Sequence, residues 1–400
     1  MFKRDNYATR REHYQDYVPG GRICKVSIMD DSDPDIEFDE NGVCNHVHYA
    51  RARLKREKFT GEMAASLLDQ RVAQIKKESA GKKYDCIIGV SGGVDSTYVA
   101  YRCKELGLRP LAVHLDNGWN SDLAVSNIQS TLSALGIDLY THVVNWEEIK
   151  DLQRCVILSS TANLEIITDH AINATLFRTA AKYGLRTIVT GNNVETESMH
   201  LSKWHYDNRD AYFIRGLHKR FGQKQLKTYP FMFPWEFVWF LLIKRIRTLP
   251  VLNYGDYNKE EVKLMLSREL DWRPYPYKHG ESIFTRFFQH YYLVEKFGFD
   301  KRRLHLSSLI VAGQMTQEEA LFEMEKDLYS PGDLEEELEY VIKKLGFSRS
   351  EWEEIMRTEK KYFFDYKNAA WMFDYRNPIV QFFREVGKSE RGVFKKHITS

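Results

Sequence analysis

The hydrophobic positions between residues 84 and 204 alternate between short runs that suit β-strands and longer stretches with helical spacing. Alternation of this kind is typical of βαβ units, which build a doubly wound parallel sheet with helices on both faces. The short runs lie at 86–90, 111–115, 139–144 and 187–190. Ligands of such α/β sheets bind beyond the carboxyl ends of the strands, so the loops of interest are 91–96, 114–118 and 190–197.

The residues before this alternation predict a small N-terminal module. Short apolar runs on both sides of Asn41-Gly42 indicate a hairpin, because Asn-Gly favours the tight turn that joins two strands. Apolar residues with helical spacing then follow over 60–77. We assign this module to residues 1–80 and the α/β domain to residues 81–205.

After residue 205 the alternation stops and helical patterns dominate. Capping signals, in which Ser or Thr precedes Glu by a few residues, occur at Thr316 and at Ser348 or Ser350. We therefore expect residues 206–400 to form a mostly helical region that binds the substrate and partner proteins.

The segment 231–246 is the most apolar stretch of the chain. It is interrupted by Pro234 and Glu236 and is shorter than the ~20 apolar residues that a spanning helix needs, so we expect no transmembrane segment. The favoured interpretation is a buried helix. The alternative is a helix that docks on a membrane surface or a partner, rimmed by Lys244, Arg245 and Arg247.

The loop at 91–96 has the sequence Ser91-Gly92-Gly93-Val94-Asp95-Ser96 and follows the first strand directly. A glycine turn that leads into a helix aims unpaired N–H groups and the positive end of the helix dipole at one point. The absence of Cβ atoms at the glycines lets an anion approach closely. These residues predict a phosphate site, with Asp95 as a contact for Mg²⁺.

This loop resembles the Ser-Gly-Gly-x-Asp-Ser loop of the PP-loop ATP pyrophosphatases, which cleave ATP between the α and β phosphates. The resemblance implies ATP and Mg²⁺ as cofactors. Neighbouring strand ends supply further candidates for ATP contacts: His114, Asp116, Gly191 and Asn192.

The loop after the fourth strand also carries candidates for chemistry. Glu195 and Glu197 could steer an amine nucleophile or accept its proton, although acidic residues at a helix start also favour the helix dipole. Asn193 is a candidate substrate contact. His170 is another, against the alternative that it only packs.

Charge and cysteine content bear on the partners of the protein and on its cellular compartment. A net charge of +2, from 58 basic and 56 acidic residues, creates no global field that selects nucleic acid, so we expect no nucleic-acid partner. Five cysteines in 400 residues form no disulfide framework. Together with an N-terminus that lacks an apolar signal region, they predict a cytoplasmic protein.

Sequence blocks outside the phosphate loop indicate which family of PP-loop enzymes the chain resembles. Residues 33–44, with Asp39-Glu40-Asn41-Gly42 at their centre, resemble the N-terminal signature of the N-acetyl sugar amidotransferases. Similarity continues through 168–170 and 190–198 and through C-terminal blocks at 278–282, 285–289 and 296–308. These bacterial PP-loop enzymes convert an acetamido group of a surface-polysaccharide or nonulosonic acid sugar into an acetamidino group.

The sequence departs from this family at its cysteines. Family members carry two Cys-x-x-Cys pairs that suit zinc, whereas here only Cys24 and Cys44 remain. His46 or His48 could substitute, but two thiolates and one imidazole fall short of a tetrahedral set, so we consider zinc doubtful.

The C-terminal blocks imply residues that hold an acidic or phosphorylated sugar. Lys278 and Arg286 are the preferred contacts to the substrate or the α phosphate, with Lys278 also a catalytic candidate. Arg302 and Arg303 are secondary contacts.

The resemblance implies a reaction in which the acetamido oxygen attacks the α phosphate and ammonia then displaces AMP. The chain lacks a recognisable glutaminase nucleophile, so we expect a separate glutaminase subunit, with a cyclase-like ammonia-channel subunit as a further candidate. Two alternatives stay open: a PP-loop enzyme that modifies tRNA by thiolation or lysidine formation, and a nonenzymatic nucleotide-binding scaffold.

Overall fold

The computed structural model describes residues 21–372, apart from 32, 34, 200, 202–203, 205 and 277–279. Its centre is a parallel sheet with the strand order β3-β2-β1-β4-β5. The strands are β1 (Cys86–Gly89), β2 (Pro110–Asp116), β3 (Leu139–Val143), β4 (Thr187–Thr190) and β5 (Arg247–Pro250). The predicted doubly wound α/β fold is confirmed, and the strand order reverses between β1 and β4.

Helices cover both faces of the sheet. One face packs against α2 (Gly61–Glu78), α3 (Val94–Glu105), α4 (Asp122–Leu135) and α9 (Lys259–Leu270). The other face packs against α6 (Ile166–Lys182) and α8 (Pro234–Leu242). Both faces of the central strands are therefore apolar, which explains why β1 and β2 read as nearly continuous hydrophobic runs rather than as alternating ones.

The strand β5 is not predicted by the sequence pattern. Its four residues, Arg-Thr-Leu-Pro, include only one buried apolar side chain, that of Leu249. The strand is defined by its pairing with β4 in the register Thr187–Arg247 to Thr190–Pro250. The sheet thus extends beyond residue 205, where the alternation of the sequence ends.

The N-terminal module begins with two tight turns and continues into α1 (Asn45–Glu57). At the predicted hairpin, a single antiparallel bridge joins Phe38 to Cys44, and Gly42 adopts a positive φ of 78°. The Asp39 carboxylate accepts hydrogen bonds from the N–H groups of Asn41 and Val43, both at 2.9 Å. The turn is present, but its flanks are too short to form paired strands.

Helices make up nearly all the regular structure after β5 within the described residues. Besides α9 and short 3₁₀ turns, they are α10 (Ile283–Phe287), a π-helix (Phe288–Phe297), α11 (Arg302–Val311), α12 (Gln317–Glu325), α13 (Pro331–Leu345) and α14 (Arg349–Arg357). Thr316 and Ser348 cap α12 and α14 with complete capping boxes, as predicted. The helix α10, the π-helix, α13 and α14 share one large core with α5 (Trp146–Leu158) and α7 (Ala211–Phe221). Leu306 of α11 and Ala320 of α12 belong to a separate small cluster with Ile28.

The most apolar helix, α8, is only partly buried. Phe240 packs against Phe177, whereas Trp235 and Ile243 are 65% and 68% exposed. The interpretation of segment 231–246 as a buried helix is therefore wrong for the side chains of Trp235 and Ile243, which face solvent. No helix in the described part of the chain is both long enough and apolar enough to cross a membrane.

A buried carboxylate fixes the segment that leads to α8. Glu148 accepts hydrogen bonds from the N–H groups of Lys227, Thr228 and Tyr229 at 2.7–3.1 Å. Burial opposes its ionisation, but these donors outweigh that effect and lower the pKa of Glu148.

We predict that Glu148→Gln lowers the free energy of unfolding by about 2 kcal/mol at neutral pH, because an amide N–H₂ then faces backbone donors. Since the folded pKa is depressed, the advantage of the wild type is complete above the unfolded pKa of about 4.3 and shrinks as the pH falls below it. Urea denaturation at several pH values measures both effects. Glu147→Gln, at the exposed neighbour, is the matched control and should change little; equal losses would contradict the prediction.

Candidate functional site

The phosphate loop lies between β1 and α3 at the point where the strand order reverses. Ser96 Oγ donates to Gly93 O at 3.0 Å and lies 3.2 Å from Ser91 Oγ, which closes the loop on itself. The helix α3 starts at Val94, so the first-turn N–H groups, which have no partner within a helix, are at the carboxyl edge of the sheet. The loop thus has the geometry that the predicted anion cradle needs, with residues 91–96 together, and anion binding there stays a prediction.

Gly92 is the position that most restricts this loop. Its φ is +81°, and a Cβ there would lie 2.6 Å from the carbonyl oxygen of Ala124 on α4. The Gly92 carbonyl accepts hydrogen bonds from Trp272 Nε1 at 2.9 Å and from Tyr275 Oη at 3.0 Å. The loop is thus anchored from behind by residues about 180 positions away in sequence.

Asp95 is paired with two residues that the sequence analysis did not identify. Its carboxylate accepts a hydrogen bond from Tyr257 Oη and lies 3.0 Å from Lys259 Nζ. Both partners follow β5, the strand that the sequence pattern does not predict. Lys259 therefore adds a positive charge beside the phosphate loop and is a new candidate for contact with ATP phosphates.

The loop after β4 lies directly against the phosphate loop. A Cβ on Gly191 would be 3.4 Å from backbone atoms of Asp95, so this glycine permits the close approach of the two loops. Asn192 Nδ2 is 3.4 Å from Glu197 Oε2. Loss of solvent around the carboxylate, followed by the negative charge of Asp95, raises the pKa of Glu197. The structure brings Gly191, Asn192 and Glu197 together with Asp95, as predicted.

Two other residues of this loop have structural contacts. Asn193 is buried, and its Oδ1 accepts from the N–H of Glu195 at 2.8 Å, which shapes the turn. Glu195 forms an ion pair with Lys58 and accepts from Gln314 Nε2 at 3.1 Å. Glu195 therefore connects the loop after β4 to Lys58 and to Gln314. Glu197, in contrast, is the carboxylate of this loop that lies beside Asp95.

His114 and Asp116 shape the end of β2. His114 Nδ1 lies 2.8 Å from the Val90 carbonyl, to which it can only donate, and its Nε2 lies 3.1 Å from Asn120 Nδ2. Asp116 Oδ1 accepts from Gly118 N at 3.0 Å and from Asn120 Nδ2 at 3.3 Å. Through these hydrogen bonds, both residues position the loop that follows β2.

A second polar cluster lies at the start of α6. Asn117 Nδ2, just after β2, donates to Thr168 Oγ1 at 3.1 Å, so this helix end lies at the same edge of the sheet as the phosphate loop. Glu165 accepts from Thr285 Oγ1 at 2.5 Å and from Gln289 Nε2 at 3.1 Å. Burial and then the negative charge of Glu165 raise the pKa of Asp169, one helical turn further on.

The C-terminal region meets the site through a short extended pairing. Ser121 donates from N to Glu281 O at 3.0 Å and from Oγ to Gly280 O at 2.8 Å, and Ile283 N donates to Trp119 O at 3.1 Å. Glu281 is brought to the phosphate loop, since a Cβ on Gly93 would be 3.5 Å from its Oε1. Only the folded chain identifies this contact, because the two segments are far apart in sequence.

His170 is not part of the site. Its side chain is fully buried, Nδ1 lies 2.7 Å from Asn208 O, and the N–H of Met232 donates to Nε2 at 2.9 Å. Burial lowers the pKa of His170 to about 4, so the ring is neutral. The expected substrate contact is corrected: this histidine fixes two backbone segments against α6.

The C-terminal arginines also have intramolecular partners. Arg286 is buried and pairs with Glu337 at 3.0 Å. Arg302 pairs with Asp300 at 2.7 Å. Arg303 bonds to Asp30 at 3.1 Å and to Ile28 O at 2.9 Å, which fastens α11 to the N-terminal module. These contacts give the three arginines structural partners, and their role in holding the sugar stays a prediction. Lys278 lies outside the described residues.

Cys24 and Cys44, the two cysteines of the doubtful zinc site, lie next to each other. Cys44 N donates to Cys24 Sγ at 3.2 Å, and Ser27 Oγ lies 3.9 Å from Cys44 Sγ. His46 pairs instead with Asp33 at 2.6 Å, and His48 pairs with Asp39 at 2.9 Å. The described residues contain no group of three His, Cys, Asp or Glu side chains that could hold a metal, so they do not fit a structural zinc.

Comparison with protein families agrees with the C-terminal resemblance. Residues 281–377 match the family model described as LPS biosynthesis protein WbpG-like, C-terminal domain. A search of curated proteins finds no match. The matched segment begins at Glu281, the residue that reaches the phosphate loop.

Several solved structures resemble the chain. The NMN synthetase from Francisella tularensis is 14% identical, the match covers 74% of this chain and 97% of that chain, and the TM-score is 0.29. The NH₃-dependent NAD synthetase from Campylobacter jejuni is 11% identical, the match covers 63% of this chain and 97% of that chain, and the TM-score is 0.28. The U34-tRNA thiolase NcsA from Methanococcus maripaludis is 16% identical, the match covers 54% of this chain and 68% of that chain, and the TM-score is 0.26. At these identities and TM-scores the three structures carry no argument about this chain.

We predict that Gly92→Ala weakens ATP binding by at least about 100-fold, because both the positive φ and the contact with Ala124 O displace the loop. Isothermal titration with ATP and magnesium measures this loss. Gly136→Ala is the matched control: Gly136 has a φ of +59° and open space around it, so this variant should lose about 1 kcal/mol of stability and bind ATP normally. Normal ATP binding by Gly92→Ala would contradict the assignment of the loop.

Proposed function

We propose that this protein is an ATP-dependent amidotransferase that converts an acetamido group of a bacterial surface-polysaccharide sugar into an acetamidino group. One observation carries the proposal: the segment 280–283, where the match to a lipopolysaccharide-biosynthesis family begins, pairs with 119–121 beside an ATP pyrophosphatase loop. That pairing supports a single site in which ATP and a sugar from that pathway meet.

The chemical problem is that an amide carbonyl is a weak electrophile whose oxygen leaves poorly. In the proposed reaction the acetamido oxygen attacks the α phosphorus of ATP, and the bond to the bridging oxygen of pyrophosphate breaks. Ammonia then adds to the activated carbon, and AMP departs with the former acetamido oxygen. The loss of protons from the added nitrogen leaves the amidine.

The phosphate loop supplies the stabilisation that the first step needs. First-turn N–H groups of α3 and the hydroxyls of Ser91 and Ser96 are suited to the charge of departing pyrophosphate. Lys259, 3.0 Å from Asp95, can exchange that carboxylate for a phosphate oxygen. Asp95 would be the protein carboxylate that holds the Mg²⁺ accompanying ATP, and that ion would supply positive charge to offset the charge of the phosphates.

Carboxylates near the loop are suited to proton transfer from the incoming nitrogen. Glu197 is beside Asp95, and its raised pKa favours acceptance of a proton. The cluster of Glu165, Thr168 and Asp169 lies at the same edge of the sheet and offers hydrogen-bond partners for the hydroxyls of a sugar. We assign ATP to the phosphate loop with Asp95 and Glu197, and the acetamido sugar to the cluster of Glu165, Thr168 and Asp169.

Ammonia is proposed to come from a separate glutaminase subunit, with a cyclase-like channel subunit as a further candidate. All five cysteines fall within the described residues and all are buried, which is unfavourable for a glutaminase nucleophile in this chain. The same burial argues against thiolation of tRNA, because no cysteine is positioned to carry sulfur to the loop.

Incubation with ATP, magnesium, ammonium and a panel of nucleotide-linked acetamido sugars tests the reaction. We expect AMP and pyrophosphate in equal amounts and a sugar product lighter by about one mass unit, because NH replaces an oxygen. AMP formed only in the presence of tRNA would overturn the choice of substrate. ATP binding without AMP from any substrate would instead favour the scaffold alternative.

We predict that Asp95→Asn lowers the rate of AMP formation about 100-fold or more, because it removes the negative charge that faces magnesium and Lys259. The variant keeps the size of the side chain, so thermal unfolding should show a folded protein. Asp122→Asn, at the exposed start of α4, is the control and should retain full activity. Wild-type rates in Asp95→Asn would remove this residue from the site.

A further inference from the structure

We propose that the edge of the sheet opposite the phosphate loop is a docking surface for an anionic lipid membrane. The surface combines exposed apolar side chains of α8 and its C-terminal end with basic residues that surround them. We call the first group the tryptophan face: Trp235, Trp239, Leu241 and Ile243. This inference does not rest on the proposed reaction.

The tryptophan face is exposed because α8 packs mainly through Phe237 and Phe240, which point away from the face that Trp235 and Trp239 share. Phe237 and Phe240 contact Phe177 of α6, with ring centroids 5.3 and 5.7 Å apart. The residues of the tryptophan face are 65%, 41%, 38% and 68% exposed, in chain order. Glu236 is the only charged residue within α8 and is held by Arg178 at 2.8 Å. A helix that shows water this much apolar surface is typical of an interaction site.

Basic side chains gather at the same edge. The segment 244–246 connects α8 to the start of β5, where Arg247 N donates to Arg186 O at 2.9 Å. Lys82 Nζ donates to Gly184 O at 2.6 Å, which places the residues before β1 beside the end of α6. Lys244 Nζ lies 4.8 Å from the ring centroid of Trp239, so charge and apolar surface are in direct contact.

The acidic residues of this edge do not cancel the basic ones. Glu78 pairs with Arg247, and Asp138 pairs with Lys83 at 2.9 Å. Among the described residues no acidic side chain pairs with Lys182, Arg186 or Lys244, and all three are exposed. This edge of the sheet therefore carries an excess of positive charge, and Lys244 brings part of that charge into contact with the tryptophan face.

These features fit a lipid surface better than a nucleic acid or an acidic protein. Tryptophan favours the headgroup region of a bilayer, and lysine and arginine are attracted to anionic lipids. Leu241 and Ile243 give no stacking surface for bases, but they can enter the acyl boundary. With nine residues α8 is too short to span a bilayer, so it would lie on the membrane and leave the phosphate loop on the opposite edge open.

Co-sedimentation of the full chain with vesicles tests this surface. We expect binding to vesicles of phosphatidylethanolamine and phosphatidylglycerol, weaker binding at high salt and little binding to phosphatidylcholine alone. The double variant Trp235→Ser/Trp239→Ser should bind the anionic vesicles about tenfold more weakly. The single variants Lys182→Gln and Lys244→Gln each remove one positive charge, and each should bind the anionic vesicles about fivefold more weakly.

Two other exposed apolar residues provide the matched control. Leu264 and Phe322 are 75% and 63% exposed and belong to other helices, so Leu264→Ser/Phe322→Ser should bind as the wild type does. Circular dichroism verifies that every variant is folded. AMP formation without membranes should be unchanged in all of them, which keeps this result separate from a failure of the proposed reaction.

Any of three results would overturn the proposal. They are no sedimentation of the wild type with anionic vesicles, equal binding to phosphatidylcholine, and unchanged binding after loss of both tryptophans. If the tryptophan variant instead loses binding to RNA or to a glutaminase subunit while the wild type ignores vesicles, the surface serves that partner and not a membrane.

Discussion

The position of the Gly92 carbonyl is the constraint on which the site depends. It accepts from Trp272 and Tyr275, and its residue sits against Ala124 with no space for a Cβ. A phosphate loop on its own is a flexible turn. Here the packing of a distant segment holds it in a left-handed conformation, so the anion cradle exists before ATP arrives and less ordering is left for the binding step.

The second feature of the site is the contribution of segments that follow the α/β domain in sequence. Tyr257 and Lys259 hold Asp95, and Glu281 reaches Gly93 through a backbone pairing with the loop after β2. The segments that follow β5 are thus built into the candidate phosphate site rather than attached beside it. A change in their packing would reach the phosphate loop through these contacts.

The two edges of the sheet have different surfaces. The carboxyl edge carries carboxylates, glycines and polar loops around the phosphate cradle. The amino edge carries Lys182, Arg186 and Lys244 with the exposed tryptophans of α8. A parallel sheet separates its strand ends in this way, so one edge can perform chemistry while the other determines where the protein sits.

Features that depend on local patterns can be predicted from the amino-acid sequence. The strands β1 to β4, the phosphate loop and the caps at Thr316 and Ser348 are encoded within a few neighbouring residues, and they were predictable for that reason. Tertiary structure alone decided which polar side chains are available. Arg286, Arg303 and His170 look like ligands in a sequence, yet each is used by a distant partner. The strand β5 likewise has no pattern of its own and forms because β4 offers it an edge. The physical reason is that a charge or a hydrogen-bonding group is free to bind a ligand only if folding has not already satisfied it, and folding satisfies it with residues far away in the chain.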